Sequence, residues 1–399
     1  MRSDIVGPVF LRLHNFFYPS ARLACFVAVF LAFSPSLPAQ LSTDDHLMEP
    51  GFWPTKSVKS ADEFAGSAAC AECHRAIAAS QFQTSMAKGL LRAGESEHLK
   101  SGPALQFSRE GFHYEIQKLP DKVLYSTTNG SQKRAAELTW AFGTGRVAQS
   151  FLFNAPDGSF HEARVSYFTA AQKLDVTPAR QISPSQTLTE AMERLVPNGE
   201  VRRCFACHST RAIIANRFDE AKIVPGIACE ACHGPGAKHV DAMQANAAAG
   251  ISSTNGEFIF NPGRLGPADA VDFCGACHGT WRDVKLSGVR GIANVRMQPY
   301  RLESSKCWGT GDARLRCAAC HDPHKEVSPD AASYDLACLS CHRTSAAQTA
   351  DAERAAKPCP RGTKNCTTCH MPKIEIPFMH DTFTDHKIQI AKAGQPYVE

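Results

Sequence analysis

The chain has 399 residues, a formal net charge of +4, a sequence pI near 8.3 and 21% charged residues. No basic stripe of the kind that tracks a phosphate backbone stands out, so a nucleic-acid partner is excluded. The departure from an ordinary composition is the 17 cysteines, which do not fall at random.

Residues 1–39 read as a signal peptide. Arg2, Arg12 and Arg22 precede the apolar run from Leu23 to Phe33, and Ser34 to Ala39 supply a small, proline-broken cleavage region. The run is shorter than the roughly 20 apolar residues a spanning helix needs, so a cleaved leader fits better than an uncleaved anchor. The mature chain is expected to start near Gln40, and Cys25 leaves with the leader. Residues 40–65 follow as a linker, and the expected location is periplasmic or extracellular.

Residues 66–203 open with Cys70, Cys73 and His74 and then carry no further motif of that kind. Phe107, Phe112, Tyr114 and Ile116 alternate as in a half-buried strand, and Val123, Leu124 and Tyr125 lead into the turn signal Asn129-Gly130. Asp157-Gly158 separates Phe151-Leu152-Phe153 from Val165-Ser166-Tyr167-Phe168, which predicts a hairpin. A small β-rich unit is expected here.

Residues 204–399 hold six more copies of the same pattern: Cys204/Cys207/His208, Cys229/Cys232/His233, Cys274/Cys277/His278, Cys317/Cys320/His321, Cys338/Cys341/His342 and Cys366/Cys369/His370. Composition alone predicts roughly 0.03 copies of Cys-x-x-Cys-His in the whole chain. The spacing is that of covalent haem c: two thiols add to the vinyl groups of one macrocycle, and the adjacent histidine meets its iron. A zinc ribbon or a dithiol redox pair does not account for a histidine after every Cys-x-x-Cys. The expectation is therefore seven covalent haems c, with His74, His208, His233, His278, His321, His342 and His370 as proximal ligands.

Strand patterns are scarce after residue 204. The predicted fold is accordingly mainly α and loop, a multihaem cytochrome c with a haem-dominated core, plus the β-rich segment between the first and second motifs. Burial of a macrocycle every few dozen residues replaces much of an ordinary side-chain core. The Ala-rich run from Ala242 to Gly250 reads as a helix end and a loop. Without the leader the charge falls to about +2, and haem propionates take the oxidised holoprotein to about −5 and the fully reduced one to about −12, so it is acidic despite its basic pI.

The sixth ligand decides function, because a second histidine closes an iron for electron transfer and an empty position admits substrate. Eight histidines lie outside the motifs of the mature chain: His46, His98, His113, His161, His239, His324, His380 and His386. His324, in Cys-His-Asp-Pro-His, is too close to His321 to reach the far side of the same haem and should serve a neighbour. A Gly-Pro-Gly turn before His239 can redirect the chain onto another haem. His380 and His386 follow the last motif. These four are the candidate distal ligands, and His46, His98, His113 and His161 are the weaker ones. Met86 reads as either a ligand to the first haem or a packing residue. Cys307 and Cys359 read as a disulfide or as two free thiols.

Several segments resemble the multihaem cytochromes of the cytochrome c-554 type, a group distantly related to hydroxylamine oxidoreductase and pentahaem nitrite reductase. The resemblance is carried by Gly66 to His74 with Ser85-Met86, Gly143-Thr-Gly145-Arg146, Cys229 to His239, Cys317 to His324, and Cys366-Thr-Thr-Cys369-His370-Met-Pro ahead of Phe383-Thr-Asp-His386-Lys-Ile388. It implies distal roles for His239 and His324. It does not imply the relatives' enzyme chemistry. Every motif here ends in His where nitrite reductases use a Cys-x-x-Cys-Lys, and Tyr300 and Tyr334 are not placed like the cross-linked tyrosine of hydroxylamine oxidoreductase. The expected function is electron transfer between redox protein partners, with a membrane only as a docking surface. The alternative is an oxidoreductase acting on a small nitrogen or sulfur compound at one open haem.

Overall fold

Glu110-Gly111 and Asn129-Gly130 place positive φ angles at two tight turns, and the strands they join form a meander. In this computed structural model, which describes residues 58–99, 102–178, 184–215, 217–252, 256, 258–308, 314–342, 359 and 362–390, the described residues form one compact unit. The expected signal peptide, His46 and the tail beyond Ile390 lie outside the described residues.

After β1 (Leu90–Arg92), the meander runs β2 (Leu105–Arg109), β3 (Phe112–Lys118), β4 (Val123–Thr128) and β5 (Lys133–Glu137), all antiparallel and hydrogen-bonded in that order. A seven-stranded sheet then collects β1, β6 (Trp140–Phe142), β7 (Ala148–Asn154), β8 (Phe160–Ala163), β9 (Val165–Phe168), β10 (Lys173–Val176) and β11 (Glu193–Leu195). β7 turns at residues 155–159 and pairs with β8, with Asn154 opposite Phe160. Its first residues pair instead with β9, with Ala148 opposite Phe168. The hairpin read from Asp157-Gly158 is thus present, and Val165 to Phe168 close on the opposite end of β7.

Alternation along these strands sends Phe112, Tyr114, Ile116, Tyr125, Phe151 and Phe153 into one core. A second cluster of Leu90, Trp140, Leu152 and Phe160 buries Val201 and Phe205 of a helix that carries a Cys-x-x-Cys-His. The β-rich unit therefore serves as the wall on which the second motif is mounted.

The helices are short. They are α1 (Ser67–Cys73), α2 (Arg75–Gln81), α3 (Leu188–Met192), α4 (Asn198–His208), α5 (Cys229–His233), α6 (Ala237–Ala248), α7 (Pro267–His278), α8 (Trp281–Ser287), α9 (Gln298–Glu303), α10 (Asp335–Leu339) and α11 (Cys366–His370). Four turns of chain among them make two-residue ladders, β12 (Ser209–Thr210) with β15 (Val224–Pro225) and β13 (Ile213–Ile214) with β14 (Arg217–Phe218). Near the end β16 (Lys373–Ile376) and β17 (Asp381–Thr384) form a last hairpin.

These sheets correct the expectation of a mainly α and loop fold: the chain is a mixed α and β protein with several antiparallel sheets. The reason is physical. Strands two to four residues long carry too few alternations to register as a period, and their pairing is set by the partner segment rather than by local pattern.

Candidate haem centres

Residues three and four apart share one face of a helix. The helices α1, α4, α5, α7 and α11, the tighter turn at Cys317 to Ala319, and the turn by which Cys341 and His342 donate back to the Cys338 carbonyl after α10 therefore turn both cysteines and the following histidine of each motif to one side. The motifs are not scattered. Thiols of adjacent motifs touch, Cys70 with Cys229, Cys207 with Cys277, Cys274 with Cys317, and Cys338 with Cys366. Cys232 lies near Cys274 and Cys277, and Cys320 lies near Cys338 and Cys341. In space the motifs thus run first, third, fourth, fifth, sixth, seventh, and the second joins at the fourth.

Carboxylates lock two of these junctions in the same way. Glu230, buried between Cys229 and Cys232, accepts from the backbone N–H groups of Ala65 at 2.8 Å and Gly66 at 3.0 Å, capping the helix of the first motif. It also accepts from Gly236 at 2.8 Å and so holds the Gly-Pro-Gly turn that leads to His239. Asp335, three residues before Cys338, accepts from Asn365 at 2.8 Å and Cys366 at 2.9 Å, capping the helix of the seventh motif. Orphan N–H groups at a helix start are where a carboxylate binds best. Those two backbone donors hold the Asp335 carboxyl below its ordinary range, Cys366 first. Sequence reading missed both residues; an acid inside or just ahead of a Cys-x-x-Cys, where its side chain can reach a neighbouring motif, is the signal that could have found them.

The histidines test whether haem iron fits. His208 Nδ1 lies 3.0 Å from the Gly89 carbonyl, His233 Nδ1 2.9 Å from that of Phe260, and His370 Nδ1 2.6 Å from that of Gln389. A carbonyl only accepts, so each Nδ1 carries the proton and each Nε2 keeps its lone pair for a metal. Burial also lowers the pKa of His208, His233, His278 and His321, favouring the neutral, ligating form.

Two candidate distal histidines face proximal ones. The His233 and His324 rings are 6.1 Å apart between centroids and 9° from parallel. His321 and His386 are 6.2 Å apart, tilted by 39°. Two imidazoles bound to one metal at about 2 Å each have centroids roughly 6 Å apart, and both pairs have about that separation. His386 donates Nδ1–H to the Thr384 carbonyl at 3.0 Å, and burial brings its pKa down to about 4. His324 Nδ1 lies 3.2 Å from Asp322. Two residues beyond His324, Glu326 ties the fifth motif to the rest of the site: it accepts from Ser85 N–H at 2.5 Å and pairs with Arg146. Segments singled out in the sequence for their resemblance, Ser85-Met86, Gly143 to Arg146 and Cys317 to His324, meet at this carboxylate.

Other candidates are placed elsewhere. His380 Nε2 contacts Asp175 Oδ2 of β10 at 2.9 Å, and its ring meets Phe168 edge-on at 4.9 Å. His239 sits half-buried in the first turn of α6. His98 stacks on Tyr167, His113 bonds Ser108 at 2.7 Å and His161 stacks on Phe153, all within the β-rich unit. No helix among the described residues is long and apolar enough to cross a membrane.

Residues 160–234, which contain the second and third motifs, match the family described as cytochrome c554 and c-prime. No curated protein gives a significant match. Among solved structures, the outer cell wall cytochrome OcwA is similar at 17% identity and a TM-score of 0.37, over 77% of this chain and 67% of that one. A likeness that distant carries no argument. The matched residues are similar to a family of haem c proteins, and the proton-donating geometry of the motif histidines agrees with covalent haem c at these motifs.

Proposed function

We infer that this chain is an exported seven-haem cytochrome that transfers electrons between redox partners outside the cytoplasm. The observation that carries the reading is the clustering of the seven motifs: thiols meet between the first and third, second and fourth, fourth and fifth, and sixth and seventh, and the third lies near the fourth and the fifth near the sixth. When bound, each haem supplies a one-electron couple, and neighbours in contact relay electrons between them. The chain's own residues hold that order: seven cysteine pairs fix position, Glu230 and Asp335 cap across motifs, and backbone carbonyls orient the proximal rings. His324 and His386 serve as distal ligands to the irons of His233 and His321, and His239 is assigned to a third site. The targeting segment at residues 1–39 supports export.

The test is a haem count by intact mass and pyridine haemochrome on the secreted protein, with electron paramagnetic resonance of the oxidised form. Seven haems and low-spin signals throughout support the carrier. Fewer than seven haems would sink the stoichiometry. A second reading, an oxidoreductase with one open haem for a small nitrogen or sulfur compound, is favoured by the engagement of His380 with Asp175 rather than with a motif histidine. A high-spin ferric signal that moves on addition of nitrite would select it.

A further inference from the structure

The segment from Thr384 to Gln389 passes between the fifth and seventh motifs and touches both. His386 faces His321, while the Gln389 carbonyl accepts from His370 Nδ1 at 2.6 Å and the Gln389 N–H donates to the His370 carbonyl at 3.1 Å. One strap therefore carries the distal candidate for one iron and the orienting carbonyl for another.

What fixes the strap is a single buried ion pair. Arg301 of α9 is 2% exposed and Asp385 is fully buried; Nε and Nη2 of the guanidinium meet the two carboxylate oxygens at 2.8 and 2.7 Å. Asp385 also accepts from Lys387 N–H at 3.0 Å and donates its own N–H to the Pro372 carbonyl at 2.9 Å. Beside it, Ser305, one turn beyond Arg301, donates to the His386 carbonyl at 3.4 Å and accepts from Ile388 N–H at 2.8 Å. α9 in turn packs on α7, the helix of the fourth motif. A buried ion pair adds little net stability over an apolar pair of the same size, but a bidentate fork fixes geometry in a way that apolar packing does not.

We propose that Arg301 is a positioning residue: through Asp385 it holds the strap so that His386 meets the iron of His321 and Gln389 orients His370. The proposal rests on the reading of His386 as a distal ligand. In its absence residues 385–389 keep the backbone hydrogen bonds to Pro372, His370 and Ser305 but lose the side-chain lock beside His386, and the distal imidazole swings out of reach while the cysteines and the proximal histidine keep the haem.

The experiment is low-temperature electron paramagnetic resonance of oxidised holoprotein, with haem content measured on the same samples, for wild type, His386→Ala, Arg301→Met and the double variant Arg301→Met with Asp385→Leu. His386→Ala is expected to gain a high-spin ferric signal of one haem equivalent. Arg301→Met gains a fraction of that signal, converts back to low spin on adding imidazole, and keeps its haem content. The double variant regains thermal stability but keeps the high-spin fraction. If His386→Ala gains the signal and Arg301→Met stays low-spin, the latch is wrong and the ligand assignment stands. If His386→Ala stays low-spin, the assignment is wrong and the latch falls with it. A double variant that is again fully low-spin reduces the pair to a structural contact. Where Arg301→Met yields no holoprotein, Arg301→Lys, which keeps the charge and loses the fork, gives the same reading by the same signal.

Discussion

The imidazoles of His233 and His324 face each other 6.1 Å apart and within 9° of parallel, although one belongs to the third motif and the other follows the fifth. On the proposed reading His324 closes the haem of His233, which would tie the third and fifth sites by a ligand as well as by packing. Removing that ligand should leave attachment intact, because Cys229, Cys232 and His233 are untouched. For His324→Ala we expect an unchanged haem count, one haem equivalent of new high-spin signal and a raised potential at that site, read by spectroelectrochemistry.

Glu230 is the second test. Its carboxylate satisfies three backbone donors at the junction of the first and third motifs. Glu230→Ala leaves them unpaired in a buried place and is expected to cost about 3 kcal/mol, while Glu230→Gln keeps acceptor capacity and costs about 1 kcal/mol. The unfolding midpoint, followed in the haem absorption band, ranks the two; equal midpoints would remove Glu230 from the junction.

Asp335 makes the corresponding junction acid-sensitive. Its folded pKa is lowered by the Cys366 and Asn365 N–H groups, so its stabilising effect is present above the unfolded carboxyl value of about 4 and is lost as pH falls through the folded value. Acid titration of wild type against Asp335→Asn should therefore be fully separated above about pH 4 and converge as pH falls through the lowered folded value. Parallel curves would contradict the cap.

Glu303 shifts the other way. Burial first, and Asp272 second, push it up to about 7 beside the Cys317 motif. A raised carboxyl pKa is favourable to the fold below the unfolded value and becomes unfavourable as pH rises from about 4 to about 7. Reduction of a haem held at the Cys317 motif would add negative charge nearby and draw a proton onto Glu303. The potential of a neighbouring haem is expected to fall as pH rises through 7, by at most about 59 mV per pH unit, and Glu303→Gln should flatten that slope.

Removing haem should separate the two halves of the chain. The β-rich unit has its own core around Tyr125 and Phe151, whereas α5, α7 and α11 end on the Cys-His of a motif and meet neighbouring motifs through their cysteines. Circular dichroism after thioether cleavage is expected to lose helix and keep strand. Equal loss of both would place the sheets under haem control as well.

The motifs are legible along the chain because they are local: Cys-x-x-Cys-His needs one turn of backbone, and each motif histidine follows directly on its own cysteine pair. The meander at residues 105–137 was legible for the same reason, since Asn129-Gly130 and alternating aromatics act over a few residues. The two- and three-residue strands were not, because their partners select them. Distal ligation lay beyond local pattern too. His380 and His386 occupy the same short segment, yet a left-handed backbone at His380, φ 52°, turns it to Asp175, while Asp385 pinned by Arg301 sets His386 opposite His321. The sequence by itself determined the motifs and their spacing; only the tertiary structure decided which motifs are neighbours and which histidines face each other, because those contacts join residues far apart along the chain through side chains whose direction packing alone sets.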